Sequence, residues 1–385
     1  MRILITGSRA PVALDLSRRF HRAGHMVFHA DSLRNGIGMW SNSVARVFHV
    51  PRPVNSPRQY VEALAAIVEE HRVDLLIPTC EEVFFIAAHR ALLNCQVLVD
   101  DFEKLAEIHN KWSFSQSAGN EHASPPETGL VDCCVGSNLA RGLPSHDTPA
   151  DWVFKPVYSR FASRTLIGPT IDQLQTAGIG QDEPWVAQRR IRGKEYSTYS
   201  VAQVGRMKAH VTYESLYRAG RGSGILFQPV QLQVIDDFVA TFVASRRYTG
   251  QIGFDFMRDD DGRFWVLEAN PRATSGVHLF AQEDSLVDVL IGNADGLLRP
   301  STMQPAMVEL AMPFWGLCDA IRERRLHRMI ADMLRSRFTA FSARDPWPTI
   351  GLLPALVEIA AIAWKEGRTL QQASTFDIEW NGGPM

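Results

Sequence analysis

Five cysteines in 385 residues, none in a Cys-x-x-Cys pair, give no basis for a disulfide framework or a zinc site. Their odd number suits a reduced, cytoplasmic protein. Charge of one sign is scarce too: 40 Lys and Arg stand against 42 Asp and Glu, a net charge of −2. Nucleic-acid binding rests on a basic excess facing phosphate, so that balance argues against it. No apolar run reads as long enough to span a bilayer. The longest, Gly351 to Trp364, contains Glu358 and is expected to be a buried helix. The first residues enter an apolar strand pattern directly, without the layout of a signal peptide. Neither an internal repeat nor a low-complexity segment is present.

What remains is the composition of a soluble globular chain, 45% hydrophobic and 21% charged, long enough for two or three domains. Arg2 to Thr6 is a short apolar strand closed by Gly7, and Val12 to Ala23 has helical spacing. Met26 to Ala30 is a second strand ending on Asp31. Pro57 to His71 (helix), Asp74 to Pro78 (strand), Glu81 to Leu93 (helix) and Gln96 to Val99 (strand) continue the alternation, which predicts a small doubly wound parallel sheet. Thr6-Gly7 and Asp31 invite a dinucleotide reading, but Arg9, Ala10, Pro11 and Ala13 occupy the turn where glycines would let a pyrophosphate approach. A Tyr-x-x-x-Lys pair is also lacking, so the oxidoreductase reading is weak.

Gly119 to Pro149 is loop-prone. From Trp152 onward short alternating strands predict an antiparallel sheet, with Asp236 to Arg247 the one clear helix. After about residue 282 the pattern is helical again. The chain is therefore expected to combine α/β and α+β parts: a parallel domain, an antiparallel region and a helical tail.

Chemistry concentrates in the antiparallel region. Asp255 interrupts an otherwise apolar strand, and Glu268 and Asn270 close the next one, beyond the turn Asp259-Asp-Asp-Gly262. In a hairpin that spacing can return both carboxylates to one face. Two carboxylates and an amide oxygen form a hard, all-oxygen set suited to magnesium bridged to phosphates. Lys155 ends a buried strand before Pro156 and can set a compact charge on an anion; the alternative is a surface lysine. Arg160 and Arg164 flank the loop after it.

The order Lys111, Lys155, Gln188-Arg-Arg-Ile191, Glu195, Asp255 and Glu268-Ala-Asn270-Pro-Arg272 resembles the ATP-grasp superfamily, over roughly residues 1 to 290. It looks closest to the branch of carbamoyl phosphate synthetase and biotin carboxylase, with a single ATP-grasp domain. The resemblance implies an N-terminal parallel-sheet pre-ATP-grasp domain over residues 1–110. It implies a two-lobed ATP-grasp domain over 111–295, with the small lobe at about 111–190 and the large lobe at about 191–295. A helical C-terminal segment, 296–385, would follow.

Carried over residue by residue, it makes Lys111 and Lys155 nucleotide contacts, and makes Gln188, Arg189 and Ile191 the hinge that reads adenine. Glu195 becomes the ribose acid, Asp255, Glu268 and Asn270 the ligands of magnesium or manganese, and Arg272 the arginine beside the reacting phosphate. The family's glycine-rich phosphate loop is replaced by Ser159-Arg-Phe-Ala-Ser-Arg164, where Ser159, Ser163 and Arg164 would substitute side chains for backbone amides. Arg218 to Gly224 is glycine-rich enough for a lid or for a plain linker.

The implied activity is ATP-dependent ligation of a small carboxylate to an amine (or thiol) through an acyl phosphate, with no nucleic acid or membrane partner and with room for a homodimer. A bicarbonate-using carboxylase or carbamoyl phosphate synthetase, and a nucleotide-binding regulatory protein without turnover, are the alternatives. The arginines at 189, 190, 192, 218 and 221 suit either an anionic substrate or a solvated surface. His278 is either a substrate contact or a structural histidine.

Overall fold

The computed structural model describes residues 1–131, 148–159, 164–179, 183–219, 223–309, 311–322 and 324–385. β1 (Arg2–Thr6), α1 (Pro11–Arg22), β2 (Met26–Asp31), β3 (Arg46–His49), α2 (Pro57–His71), β4 (Leu75–Ile77), α3 (Glu82–Ala88) and β5 (Gln96–Val97) build a parallel sheet of order β3-β2-β1-β4-β5. Its central strands are apolar on both faces because helices cover both. The turn after β1 requires glycine: Gly7 has φ +74°, and a Cβ there would lie 2.6 Å from Thr79 Oγ1. Asp31 is engaged by Arg9, Ser8 and the amide of Leu33, which leaves it no role as a ribose acceptor.

α4 (Phe102–His109) and α5 (Lys111–Ser117) lead into a four-stranded sheet of order β6-β9-β7-β8. Its strands are β6 (Thr128–Val131), β7 (Trp152–Pro156), β8 (Leu166–Ile167) and β9 (Trp185–Arg189), with α6 (Ile171–Thr176) on one side. Trp152, Phe154 and Trp185 fill its small core. Phe114 of α5 packs 5.9 Å from Phe242 and 6.4 Å from Phe254, which sets α5 in the core of the larger lobe.

That lobe is a seven-stranded sheet, order β14-β13-β10-β11-β12-β15-β16. It comprises β10 (Lys194–Gln203), β11 (Arg206–Ala219), β12 (Ser223–Val230), β13 (Gly250–Arg258) and β14 (Phe264–Asn270), backed by α7 (Gln233–Ser245). α8 (Leu286–Leu290), β15 (Ala306–Met307), α9 (Leu317–Arg322), α10 (Leu326–Arg335), β16 (Arg337–Phe338), α11 (Trp347–Glu366) and α12 (Leu370–Ala373) complete the chain. The segment after residue 296 is mainly helical, as expected, with two short strands added. β15 and β16 extend the large sheet, because β15 pairs with β12 through Leu226 and Phe227.

The parallel domain is keyed to the large lobe by buried polar contacts. Arg19 donates to the carbonyls of Phe280 and Ala281, both at 2.7 Å, and His278 Nδ1 lies 2.7 Å from Asp15 Oδ2. His278 is therefore a structural histidine.

The C-terminal segment folds back over both. Arg9 pairs with Asp31 and Asp377 at 2.5 Å each, all three side chains being almost fully enclosed. Burial disfavours charge on Asp31, yet Arg9 holds it below the usual carboxylate range. Trp380 packs on Phe84, Phe102 and Tyr158, with ring centres 4.9–5.2 Å away.

The apolar run expected to be a buried helix is only half so. α11 is 20 residues long, enough by length and composition to cross a membrane, yet it lies along the parallel domain. Pro348, Gly351, Ala355 and Ala363 are buried, whereas Leu353 is 72% and Trp364 88% exposed.

Replacing Arg9 with Leu strands two enclosed carboxylates without their cation, and should lower the unfolding free energy by about 3–5 kcal/mol in urea titrations. A loss below about 1 kcal/mol would show that the pairs are not needed for folding.

Candidate active site

One cavity of about 770 Å³ runs between the two lobes and ends against the parallel domain, a volume that suits a nucleotide with a second small ligand. Its inner slot is apolar: Val153, Ile167, Ile191, Met257 and Leu267 line it. Its outer part carries Arg9, Thr79, Cys80, Arg272, Thr274 and Ser275, with Ile359, Ser374 and Thr375 from the C-terminal segment.

β13 and β14 set the centre. Asp255 lies directly across from Glu268, so both carboxylates share one face. The register slips between Asp255 and Phe256, which inserts Leu267 as an extra residue. Leu267 and Glu268 consequently both face the cavity, one as a slot wall and one as a charge. Ser197 on β10 donates to Asp255 Oδ1 at 2.6 Å.

Behind Glu268 stand two enclosed lysines. Asn110 caps α5 by accepting from the Ser113 amide at 2.9 Å, which places Lys111 at the helix start. Lys111 Nζ donates to the Ser159 carbonyl at 3.0 Å and lies 3.9 Å from Glu268 Oε2. Lys155 Nζ lies 3.6 Å from the same oxygen and donates to Gln188 Oε1 at 3.0 Å. Gln188 in turn donates to Thr128 Oγ1 at 3.2 Å and to the Leu267 carbonyl at 3.4 Å, tying the small sheet to β14. Beyond it the amides of Arg189 and Arg190 bond the carbonyls of Glu127 and Asp151, while that of Ile191 has no hydrogen bond among the described residues. Gly193 has φ +152° and lies against the Arg258 carbonyl, where a Cβ would not fit.

The electrostatics follow from this crowding. Burial, and then the negative charges of Glu268 and Glu195, push the Asp255 carboxyl up to about 7. Burial also works against charge on Glu268, but Lys111, Lys155 and Arg272 together hold it below the usual carboxylate range. Burial lowers Lys111 to about 8, with Glu268 opposing and Lys155 adding to the drop. Glu268 is 32% exposed, toward the cavity. Two opposed carboxylates, one of them forced toward its neutral form, are what a divalent cation would relieve, and the donor set fits one. Asn270 is turned the other way: its Nδ2 donates to Asp255 Oδ2 at 3.1 Å and its Oδ1 accepts from Arg272 at 2.9 Å. Its amide has to rotate before it can ligate a metal.

Lys111, Lys155, Gln188, Glu195, Asp255, Glu268, Asn270 and Arg272 thus converge on one cavity or its wall. Arg164 does not. It pairs with Glu183 and lies 5.4 Å over the Trp185 ring, bracing the start of β9 rather than reaching toward phosphate. Arg160 and Ser163 lie outside the described residues, as does Arg221; Ser159 lines the cavity. Glu195 is held by Arg218 Nη2 at 2.9 Å. Missed from the sequence were Ser197, the slot walls other than Ile191, and Glu81, whose Oε1 lies 3.7 Å from Arg272 Nε. The sequence marked Glu81 only as the start of a helix.

No family model matches the sequence, and no curated protein matches it. Solved structures do. N5-carboxyaminoimidazole synthetase from Staphylococcus aureus, complexed with ADP, superposes with a TM-score of 0.60 at 10% identity, over 79% of this chain and 80% of that one. L-amino acid ligase from Bacillus licheniformis gives 0.57 at 16% identity, over 75% and 74%. The biotin carboxylase domain of Hydrogenobacter thermophilus 2-oxoglutarate carboxylase, with MgADP and bicarbonate, gives 0.59 at 12%, over 76% and 70%. The fold is that of the ATP-grasp ligases. The cavity lies between the small and large sheets of that fold.

With the Asp255 carboxyl pushed up to about 7 by burial and Glu268, a divalent cation that bound between the two acids would displace the proton held there below about pH 7. Apparent MgADP affinity should fall about tenfold for each unit below that pH. Calorimetry in buffers of different ionisation heat should register close to one proton released near pH 6; an affinity flat across this range would remove Asp255 from the metal site.

Proposed function

We propose that this chain is an ATP-dependent ligase joining a small carboxylate to an amine, with ATP converted to ADP and phosphate. The observation that carries the reading is the Asp255–Glu268 pair, set where an apolar slot opens into a chamber walled by Arg272. The ATP-grasp fold of the solved ligases supports the ATP-dependent class.

In this reading adenine enters between Ile191, Val153 and Leu267, where the Ile191 amide and the Arg189 carbonyl meet its edge. Glu195 exchanges Arg218 for the ribose hydroxyls. Lys155, and Lys111 behind it, neutralise phosphate charge. A divalent cation held by Asp255, Glu268 and a rotated Asn270 would add Lewis-acid screening of the phosphate oxygens. The substrate carboxylate, steered by Arg272, attacks the γ-phosphorus as the bond to the β-bridging oxygen breaks, giving an acyl phosphate and ADP. The amine then adds to the acyl carbon, phosphate leaves, and the amine nitrogen gives up a proton. Catalysis on this scheme is positioning and charge compensation, which suits a site without a nucleophile–base pair.

ADP release measured with pools of carboxylates and amines tests the proposal. Release that requires both classes is expected. Release that requires bicarbonate would move the reading to a carboxylase, and none with any pool would leave a nucleotide-binding protein. Glu268→Gln should lower the turnover number by about a thousandfold or more while thermal unfolding stays within a few degrees. A Gln variant with full activity would sink the metal assignment.

A further inference from the structure

The outward face of α11 is an apolar stripe with no partner among the described residues. Ile350, Leu353, Val357, Ala360 and Trp364 are all exposed, and they recur at alternating steps of three and four residues. That 3.5-residue repeat keeps side chains in line along a helix and is the spacing by which one helix packs against another. The opposite face is already committed: Gly351 sits against Trp40, Ala355 packs with Leu14 and Ile37, and Ile359 lines the cavity. Glu358, the only charge in the middle of the helix, accepts from the Arg34 amide and the Asn35 side chain, both at 3.0 Å, and so points away from the stripe.

From this geometry we infer that α11 is a self-association surface, pairing with α11 of a second copy in antiparallel orientation about a two-fold axis near Val357. Area favours it. With Trp347 and Leu356 the stripe exposes roughly 800 Å², the share each partner gives to a standard-size interface. Charge fixes the direction. A parallel pair would set Lys365 on Lys365 and Glu366 on Glu366, whereas the antiparallel pair separates them to opposite ends and opposes the helix dipoles. A lipid surface fits less well, since an interfacial helix is flanked by cations and here Lys365 stands beside Glu366. Ile359 on the inner side of the same helix links this seam to the wall of the active-site cavity.

Sedimentation of the full chain at micromolar concentrations should give twice the 43.1 kDa monomer mass. Leu353→Glu with Val357→Glu should weaken association by about a hundredfold or more, because each change buries an unpaired charge in an apolar seam, while the far-ultraviolet spectrum is unchanged. Val357→Cys, lying on the axis, should form a disulfide-linked dimer on mild oxidation that the parent chain does not. A parent that stays monomeric, or a dimer that survives the double Glu substitution, would overturn the proposal. So would a monomer that pellets with phosphatidylcholine vesicles.

Discussion

Asp255 and Glu268 face each other across an antiparallel pair, and two carboxylates so close do not both ionise unless something compensates them. The cleft is largely an arrangement for doing so. Lys111 and Lys155 come from different elements, the first turn of α5 and the end of β7, yet converge on one oxygen of Glu268. Arg272 adds a third cation and is itself steadied by Asn270 and Glu81. The compensation is one-sided. It keeps Glu268 charged and leaves Asp255, beside Glu195, short of a partner. That asymmetry leaves Asp255, not Glu268, as the acid nearest to its neutral form.

Much of this was legible because it is local. A hairpin fixes which residues lie opposite, so the distance along the chain from Asp255 to Glu268 already implied a shared face. The alternation of strand and helix in the first hundred residues likewise implied a parallel sheet. What escaped depends on distant packing. Arg164 looked like a phosphate contact from its place in a loop, but only the fold brings Glu183 and Trp185 to it. Ile359, Ser374 and Thr375 reach the cavity from a segment about ninety residues or more beyond Glu268 and Asn270, with no motif to mark them. The α11 run misled for a different reason: apolar composition is the same whether a helix is covered by its own chain or by something else.

The neighbours share this fold at 10–16% identity, which separates what the cleft needs from what it tolerates. Lys111 ties the small sheet to the large lobe by donating to the Ser159 carbonyl just beyond β7. A rigid connection between lobes is supplied separately, by Gln188 bridging Lys155, Thr128 and the Leu267 backbone. Small-lobe position and the charge around Glu268 are thus coupled through the same two lysines.

The Arg9–Asp377 contact also bears on how the protein is made. It joins residues 368 positions apart in the chain. The parallel domain can assemble during synthesis, since its contacts are close in sequence, but its first turn carries a half-neutralised arginine until the last segment emerges. Ser374 and Thr375, which wall the cavity, arrive at the same moment. The cleft between the small and large sheets can therefore form before the outer wall of the cavity is complete, so the order in which the segments emerge sets the order in which the cavity closes.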